Sequence, residues 1–234
     1  MKLKRQFYIG LDLGKKRDYS AIAVVEQCVW TTGEKDPITF APKLQRHTVL
    51  RHIEQVKLKT KYKDVVARVK EMLLSEALRN EGVVFAFDAT GVGEAVFEMV
   101  EGMMREVWAQ RQAWVNLAAV TITSSGKTHW KQYEAYVPKN TLMDEVLVRV
   151  ERQELVMDAA RPWVKELMRE MQNMQQIRGE NGTRWVSAGQ HDDLVMALAL
   201  AVWGSTYRAV PKNWQELRRG RPSWEVEAMR KERD

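Results

Sequence analysis

Residues 7–30 read FYIGLDLGKKRDYSAIAVVEQCVW. Residues 7–13 form a short apolar run, interrupted by Gly10 and carrying Asp12 near its end, the pattern of a strand that delivers a carboxylate to its terminus. Residues 20–30 are β-branched and apolar, a second strand, and the polar segment GKKRDY (14–19) joins the two. The hairpin this predicts is the start of a sheet, and the rest of the chain is read outward from it.

Residues 31–42 hold Gly33, Pro37 and Pro42 and read as a loop. Alternation through Val49, Arg51, Ile53 and Gln55 predicts a half-exposed third strand over 47–56. Helical spacing returns over 62–78 (Val65, Val66, Val69, Met72, Leu73). Residues 83–87 are a continuous apolar strand that runs into Asp88, followed by a tight turn over 89–93. A second helix is predicted over 95–108, a strand over 114–123, and a polar hairpin or loop over 124–136. Pro138 suits the first turn of a helix through Leu142, Val146 and Val150. Residues 155–157 are short and extended. An amphipathic helix is predicted over 162–177, a turn over 179–182, and a strongly apolar helix, DDLVMALALAVWGSTY, over 192–207. The order is three strands, helix, strand, helix, strand, then helices: an α/β chain with a mixed sheet flanked by helices. We place that domain over residues 1–207, with 208–234 a basic, Trp-dotted tail or helix.

At 234 residues and 27.2 kDa, with 45% hydrophobic and 29% charged residues, the chain has the composition of a globular domain and not of a disordered one. No apolar run approaches the ~18 residues of a membrane span, and the N-terminus lacks the pattern of a signal peptide. The single cysteine, Cys28, excludes an internal disulfide. These features predict a cytoplasmic protein. The net charge of +6 is unevenly spread: residues 1–70 carry 16 Lys/Arg against 7 Asp/Glu, whereas the remainder carries 21 against 24. A basic first third favours a polyanionic partner, nucleic acid foremost.

Three carboxylate positions stand out. Asp12 ends the first strand, Asp88 ends the central one, and Asp192 and Asp193 open the last apolar helix. Each has an ordinary structural alternative, as a turn or cap residue. Together they lie where strand ends and a helix start meet the edge of a sheet, the edge at which ligands bind in open α/β sheets. Carboxylates gathered there repel one another unless a cation intervenes. Oxygen-seeking Mg²⁺ or Mn²⁺ suit such donors. Two ions roughly 3.5–4 Å apart form the clamp used for in-line attack on phosphodiesters.

The stretches GLDLGKKRDYSAIAVVE (10–26), DATGVGEAV (88–96), VPKNTLMDEVL (137–147) and QHDDLVMALALAVW (190–203) resemble the nuclease domain of phage terminase large subunits, of the RNase H-like superfamily. The resemblance spans about residues 7–207. It implies an RNase H-like mixed sheet and a metal-dependent DNA endonuclease that uses two Mg²⁺ or Mn²⁺ ions, without the ATPase motor that precedes this domain in the family. By the same resemblance, Asp12, Asp88 and Asp192/Asp193 hold the metals, and Asp18 occupies the place of a further family Asp. DNA is the implied partner, with phage packaging or recombination proteins as further candidates, in a bacterial or phage-infected cell. A junction-resolvase-like nuclease acting on branched DNA, and a non-catalytic nucleic-acid-binding packaging accessory, are the alternatives.

His191 is the candidate to orient Asp192 from outside the ligand set. Lys15, Lys16 and Arg17, which follow Asp12, and Lys127, Lys131 and Lys139 are candidate phosphate contacts, each with a solvated surface lysine as its plain alternative. Trp130, Trp214 and Trp224 lie in polar contexts open to base stacking. Gly126-Lys127-Thr128 is no Walker A motif, because Thr121 stands where the first glycine is required. The two Asp-Gly loops are also similar to those of actin-fold sugar kinases, but the chain is too short for two lobes.

Overall fold

A computed structural model of the chain describes residues 4–14, 18–131, 134–179, 182–189 and 191–206. Its main sheet has eight strands. β1 (Lys4–Asp12), β2 (Ser20–Lys35) and β3 (Pro42–Val56) form an antiparallel meander. After α1 (Tyr62–Leu74), β4 (Val83–Asp88) pairs parallel to β1. After α2 (Glu94–Gln110), β5 (Val115–Thr123) pairs parallel to β4. β6 (His129–Lys131) and β7 (Glu134–Pro138) form a hairpin whose second strand pairs parallel to β5. α3 (Lys139–Glu151) leads to β8 (Leu155–Val156) on the far edge, beside β3. The strand order is β6-β7-β5-β4-β1-β2-β3-β8. α4 (Val164–Asn173), the two-stranded ribbon β9 (Met174–Gly179) and β10 (Gly182–Ser187), and α5 (Asp193–Thr206) complete the described chain. Among the described residues no helix is long and apolar enough to cross a membrane.

Strand alternation splits the core into two layers. Phe7, Ile9 and Leu11 of β1 and Val83, Phe85 and Phe87 of β4 point to α1 and α2. Tyr8 of β1 and Val84 and Ala86 of β4 point the other way, to α3, α4 and α5. This second face is lined near its centre by small residues, Gly10, Ala21, Ala23, Ala86 and Ala118. α5 fits there because nothing projects: a Cβ on Gly10 would overlap the Ala197 carbonyl oxygen and lie 2.6 Å from the Ala201 amide nitrogen. Helix backbone thus rests on strand backbone. Every residue of α5 from Asp193 to Ser205 is buried, which explains why its sequence is apolar on all sides and not amphipathic.

Several expectations change in the structure. The helix expected over 162–177 stops at Asn173, and Met174 begins a strand paired with Ser187. Residues 174–178 have no strong strand preference of their own. Pairing with the β-prone Thr183–Val186 segment overrides local helical spacing. The expected loop over 31–42 shrinks to 36–41, because β2 and β3 extend their ladder through Thr31–Leu44, with an irregularity before Lys35–Pro42 in which Gly33 takes φ 88°. Asp36 closes the turn by accepting the Ile38 and Thr39 N–H groups at 3.0 and 2.7 Å. Helix α1 ends at Leu74, not 78, and Ser75 caps it through the Met72 carbonyl. Trp130 is not presented for stacking on bases: its ring packs on Trp203 of α5, centroids 5.6 Å apart. The basic tail, with Trp214 and Trp224, lies outside the described residues.

Gly10→Ala should reduce stability by at least the ~1–3 kcal/mol typical of core overpacking, because both atoms in its way are backbone. Urea unfolding followed by circular dichroism checks this. A change within about 0.5 kcal/mol would mean that α5 does not sit on β1 as described.

Candidate active site

Asp12 and Asp88 share the face of the sheet that α5 covers. Gly10 pairs with Ala86 and Leu11 with Phe87 in the parallel β1–β4 register, and the two aspartates follow one residue later on neighbouring strands. Adjacent strands run about 4.8 Å apart, so two carboxylates leave the sheet side by side. Asp88 is held by its own turn: its Oδ1 accepts the Thr90 N–H at 2.7 Å, and Thr90 Oγ1 accepts the Ile122 N–H of β5 at 2.8 Å. Gly91 and Gly93, at φ 65° and 79°, then turn the chain into α2. Such backbone conformations favour glycine.

α5 brings the second pair. With Ala197 and Ala201 over Gly10, and Gly204 near Tyr8 and Val84, the helix runs back along β1 and its N-terminus lies over the strand ends. Asp192 does not use its side chain as a cap there. Its carbonyl accepts the Met196 N–H at 2.9 Å, while its Oδ2 pairs with Lys139 Nζ at 2.7 Å. The cap is supplied by Glu170 of α4, whose Oε2 accepts the Leu194 and Val195 N–H groups at 2.9 and 3.1 Å. Asp193, with its side chain 8% exposed, faces His191 Nδ1 at 3.5 Å. Its Oδ2 is buried without a hydrogen-bond partner among the described residues. His191 in turn meets the edge of the Tyr19 ring, centroids 5.1 Å apart.

The result is a cleft of about 430 Å³ lined by Asp12, Asp18, Asp88, His191, Asp192, Asp193 and Lys139. These residues come from four elements (β1, β4, α3 and α5) and two loops, separated in sequence by up to 181 positions (Asp12 to Asp193). Asp18 is exposed at its rim. Lys127 and Lys131 do not line the cleft; they lie in and before β6, the outermost strand on that side. Lys15, Lys16 and Arg17 fall outside the described residues.

The electrostatics are those of a site short of positive charge. Burial, then the charges of Asp88, Asp193 and Asp192, pushes the Asp12 carboxyl well above the usual carboxylate range, and Lys139 offsets this only in part. Burial raises Asp193 to about 6, opposed by His191 and reinforced by Asp192 and Asp18. Glu170, 4% exposed, is raised to about 7 by burial, against the pull of the two amides it caps. Among the described residues no three His, Cys, Asp or Glu side chains already close around a common point as a metal shell. The donor chemistry still suits a hard cation: all-oxygen carboxylates, one with an unpartnered buried oxygen, whose mutual repulsion a cation would relieve.

Glu170 was not among the residues singled out from sequence. Its signal was available: it shares the inner face of α4 with Val164, Leu167 and Met171, where an acid needs a partner.

No family model and no curated protein matches the sequence. Solved structures do match. The human cytomegalovirus terminase nuclease domain superposes over 86% of this chain and 83% of its own, with a TM-score of 0.55 and 11% identity. The same domain soaked with Mn covers 84% and 81%, with a TM-score of 0.53 and 11% identity. The fold is RNase H-like. It resembles that of the terminase nuclease domain, as the four sequence stretches implied. T. thermophilus RuvC in complex with a Holliday junction substrate matches over 86% of this chain and 94% of its own at 14% identity, but its TM-score of 0.38 gives it no weight between nuclease types. In the RNase H-like frame of this chain, the cleft lies at the C-terminal ends of the parallel strands, where such sheets place ligands.

The raised carboxyls set a pH dependence. In the folded protein Glu170 and Asp193 keep protons at pH values where the unfolded chain has lost them. The folded state then binds more protons between about pH 4 and 7, so stability falls as pH rises through that window. Glu54 works in the opposite sense: against its desolvation, hydrogen bonds from His52 and Arg68 hold it at about 2, so its contribution is complete above its ordinary value of 4.5. In EDTA, urea unfolding should give a stability about 1–3 kcal/mol lower at pH 7.5 than at pH 5. Glu170→Gln, whose amide oxygen can still accept the α5 amides, should flatten part of that slope. A profile that rises across this range would contradict the charge arrangement.

Proposed function

We propose that this chain is a metal-dependent endonuclease that hydrolyses DNA phosphodiester bonds. The observation that carries the proposal is the convergence of Asp12, Asp88, Asp192 and Asp193 on one cleft, with Asp12 and Asp193 displaced toward protonation by burial and, after it, by the nearby carboxylates. A fold shared with terminase nuclease domains supports it. We assign the domain to residues 1–207 and regard 208–234 as a basic appendage.

Asp12 would be the ligand common to two Mg²⁺ or Mn²⁺ ions, with Asp88 serving one and Asp192 or Asp193 the other. When bound, such ions supply an activated water and stabilise the leaving 3′-oxygen. The rest falls to the chain itself. The Thr90 amide holds the Asp88 carboxylate in one orientation. Glu170 fixes the first turn of α5 and with it the backbone positions of both of its aspartates. His191, held against the Tyr19 ring, stands 3.5 Å from Asp193 Oδ2 and limits the room in which that carboxylate can turn. Lys139 neutralises Asp192, and it is placed to exchange that partner for a phosphate oxygen when Asp192 is drawn to a cation.

A second reading has one observation behind it. The Lys139–Asp192 pair, with no closed three-donor shell among the described residues, is also what a nucleic-acid-binding module that does not cleave would show. Cleavage decides between them. Supercoiled, linear and branched DNA incubated with Mg²⁺ or Mn²⁺ should be cut, EDTA should stop cutting, and Asp12→Asn should reduce it to background with the fold preserved. Intact DNA under every metal condition would favour the binding module.

Metal binding should also register without activity. A cation at 100 times its dissociation constant stabilises the folded state by about 2.7 kcal/mol. Saturating Mn²⁺ should therefore raise the melting temperature by several degrees, more at pH 7.5 than at pH 5 because protons compete for the same oxygens. Asp88→Asn should shrink the shift. An unmoved melting curve in the wild-type protein would argue against an ion in this cleft.

A further inference from the structure

A second cavity of about 440 Å³ adjoins the carboxylate cleft and shares its Gly14 and Asp18 wall. Its opposite wall is the connection between β3 and α1, and the chemistry reverses there. Lys57, Lys59 and Lys61 line it, with Tyr62 as the first residue of α1. The sequence KLKTKY (57–62) places the three ammonium groups on alternate residues of one short segment. None of the three makes an ion pair with a described residue, although Asp18 lines the same cavity.

The segment has a defined shape. Thr60 donates from both its N–H and its hydroxyl to the Lys57 carbonyl, at 3.2 and 2.6 Å, and Lys59 sits in the left-handed region at φ 67°. α1 then opens without a side-chain cap, so the positive end of its dipole adds to the same field, with Asp64 the one opposing carboxylate of its first turn. A cation is disfavoured by three lysines, and an apolar ligand would leave them without partners. An extended polyanion that enters from the carboxylate cleft meets both requirements.

We infer that this cavity seats the phosphodiester backbone of the DNA strand flanking the scissile phosphate, with Lys57, Lys59 and Lys61 as its phosphate contacts and Tyr62 against a sugar or base. The inference rests on the nuclease reading for the identity of the polymer and extends it by giving the strand a direction: from the carboxylate cleft, past Gly14 and Asp18, to the N-terminus of α1. Contacts of this kind hold the backbone in register and carry no sequence information.

The test is binding in EDTA, where no cleavage occurs. A fluorescein-labelled 30-base-pair duplex is titrated with protein from 50 to 200 mM salt and read by anisotropy. The Lys57→Ala, Lys59→Ala, Lys61→Ala triple variant should bind more weakly, with the slope of log affinity against log salt reduced by about 2–3, near 0.9 for each duplex phosphate that is no longer neutralised. The corresponding triple arginine variant should keep the wild-type slope. The alanine variant should melt at the wild-type temperature and retain the full Mn²⁺-induced shift, since the lysines are exposed and outside the carboxylate set. A wild-type slope in the alanine variant, or no duplex binding by the wild-type protein, overturns the inference. Lysine-dependent binding without any metal-dependent cleavage would leave it standing and overturn the nuclease reading; cleavage with an unchanged slope would do the reverse.

Discussion

The closest packing contact behind the site is between two backbones. Gly10 lets the Ala197–Ala201 segment of α5 lie directly on β1, at a separation that no side chain on the strand would permit. A helix seated so closely cannot tilt or slide without overlap, so the position of its N-terminus relative to the end of β1 is set within narrow limits. Asp12 lies two residues beyond Gly10 on the strand, and Asp193 lies four residues before Ala197 on the helix. The contact is apolar, yet its consequence is electrostatic: carboxylates from opposite ends of the chain are held in one cleft.

Holding them there works against stability, and the surrounding groups show how the fold accommodates it. Lys139 takes up one charge directly. Glu170 contributes differently. By accepting two amides of α5 it replaces the cap that Asp192 would ordinarily provide, and so leaves the Asp192 carboxylate free to face the cleft. The helix start is satisfied by an acid from outside the cleft. Asp193 is relieved less: His191 Nδ1 stands 3.5 Å from its Oδ2, and that buried oxygen has no hydrogen-bond partner among the described residues. Buried carboxylates are normally hydrogen-bonded, and a cation would satisfy this one.

On the proposed reading, the two adjoining cavities would divide the labour of binding a polyanion near a cluster of negative charge. Phosphates approaching the carboxylates alone would be repelled. The lysines between β3 and α1, without ion pairs among the described residues, line a cavity that shares Gly14 and Asp18 with the acidic cleft. A strand would then be held by its flanking phosphates while the central one reaches the acidic cleft.

Most of the fold was legible because its signals are local. The run over 7–13, the continuous apolar strand into Asp88 and the all-apolar helix after Asp192 report strand, strand and buried helix through periodicity alone, and Asp12, Asp88, Asp192 and Asp193 stand out because each ends or opens such a run. Asp18 was placed beside them by the family resemblance, and His191 by its proximity in sequence. Glu170 and the Lys57–Lys61 segment were passed over for different reasons: Glu170 sits on the apolar face of α4, a signal that says it needs a partner but not which one, whereas lysines in a linker look like ordinary surface until a partner element is brought alongside. The β9–β10 ribbon was misread for a related reason, since its strand state depends on pairing across a turn and not on residues 174–178 themselves. The sequence by itself determined which residues form strands and helices and which carboxylates end them, because hydrophobic periodicity and turn chemistry act over a few residues. Only the tertiary structure decided that Glu170 caps α5, that Trp130 belongs to the core, that Lys139 pairs with Asp192 and that a basic cavity adjoins an acidic one, because these depend on which helix packs on which strand face, and that is settled by close packing between segments far apart in the chain.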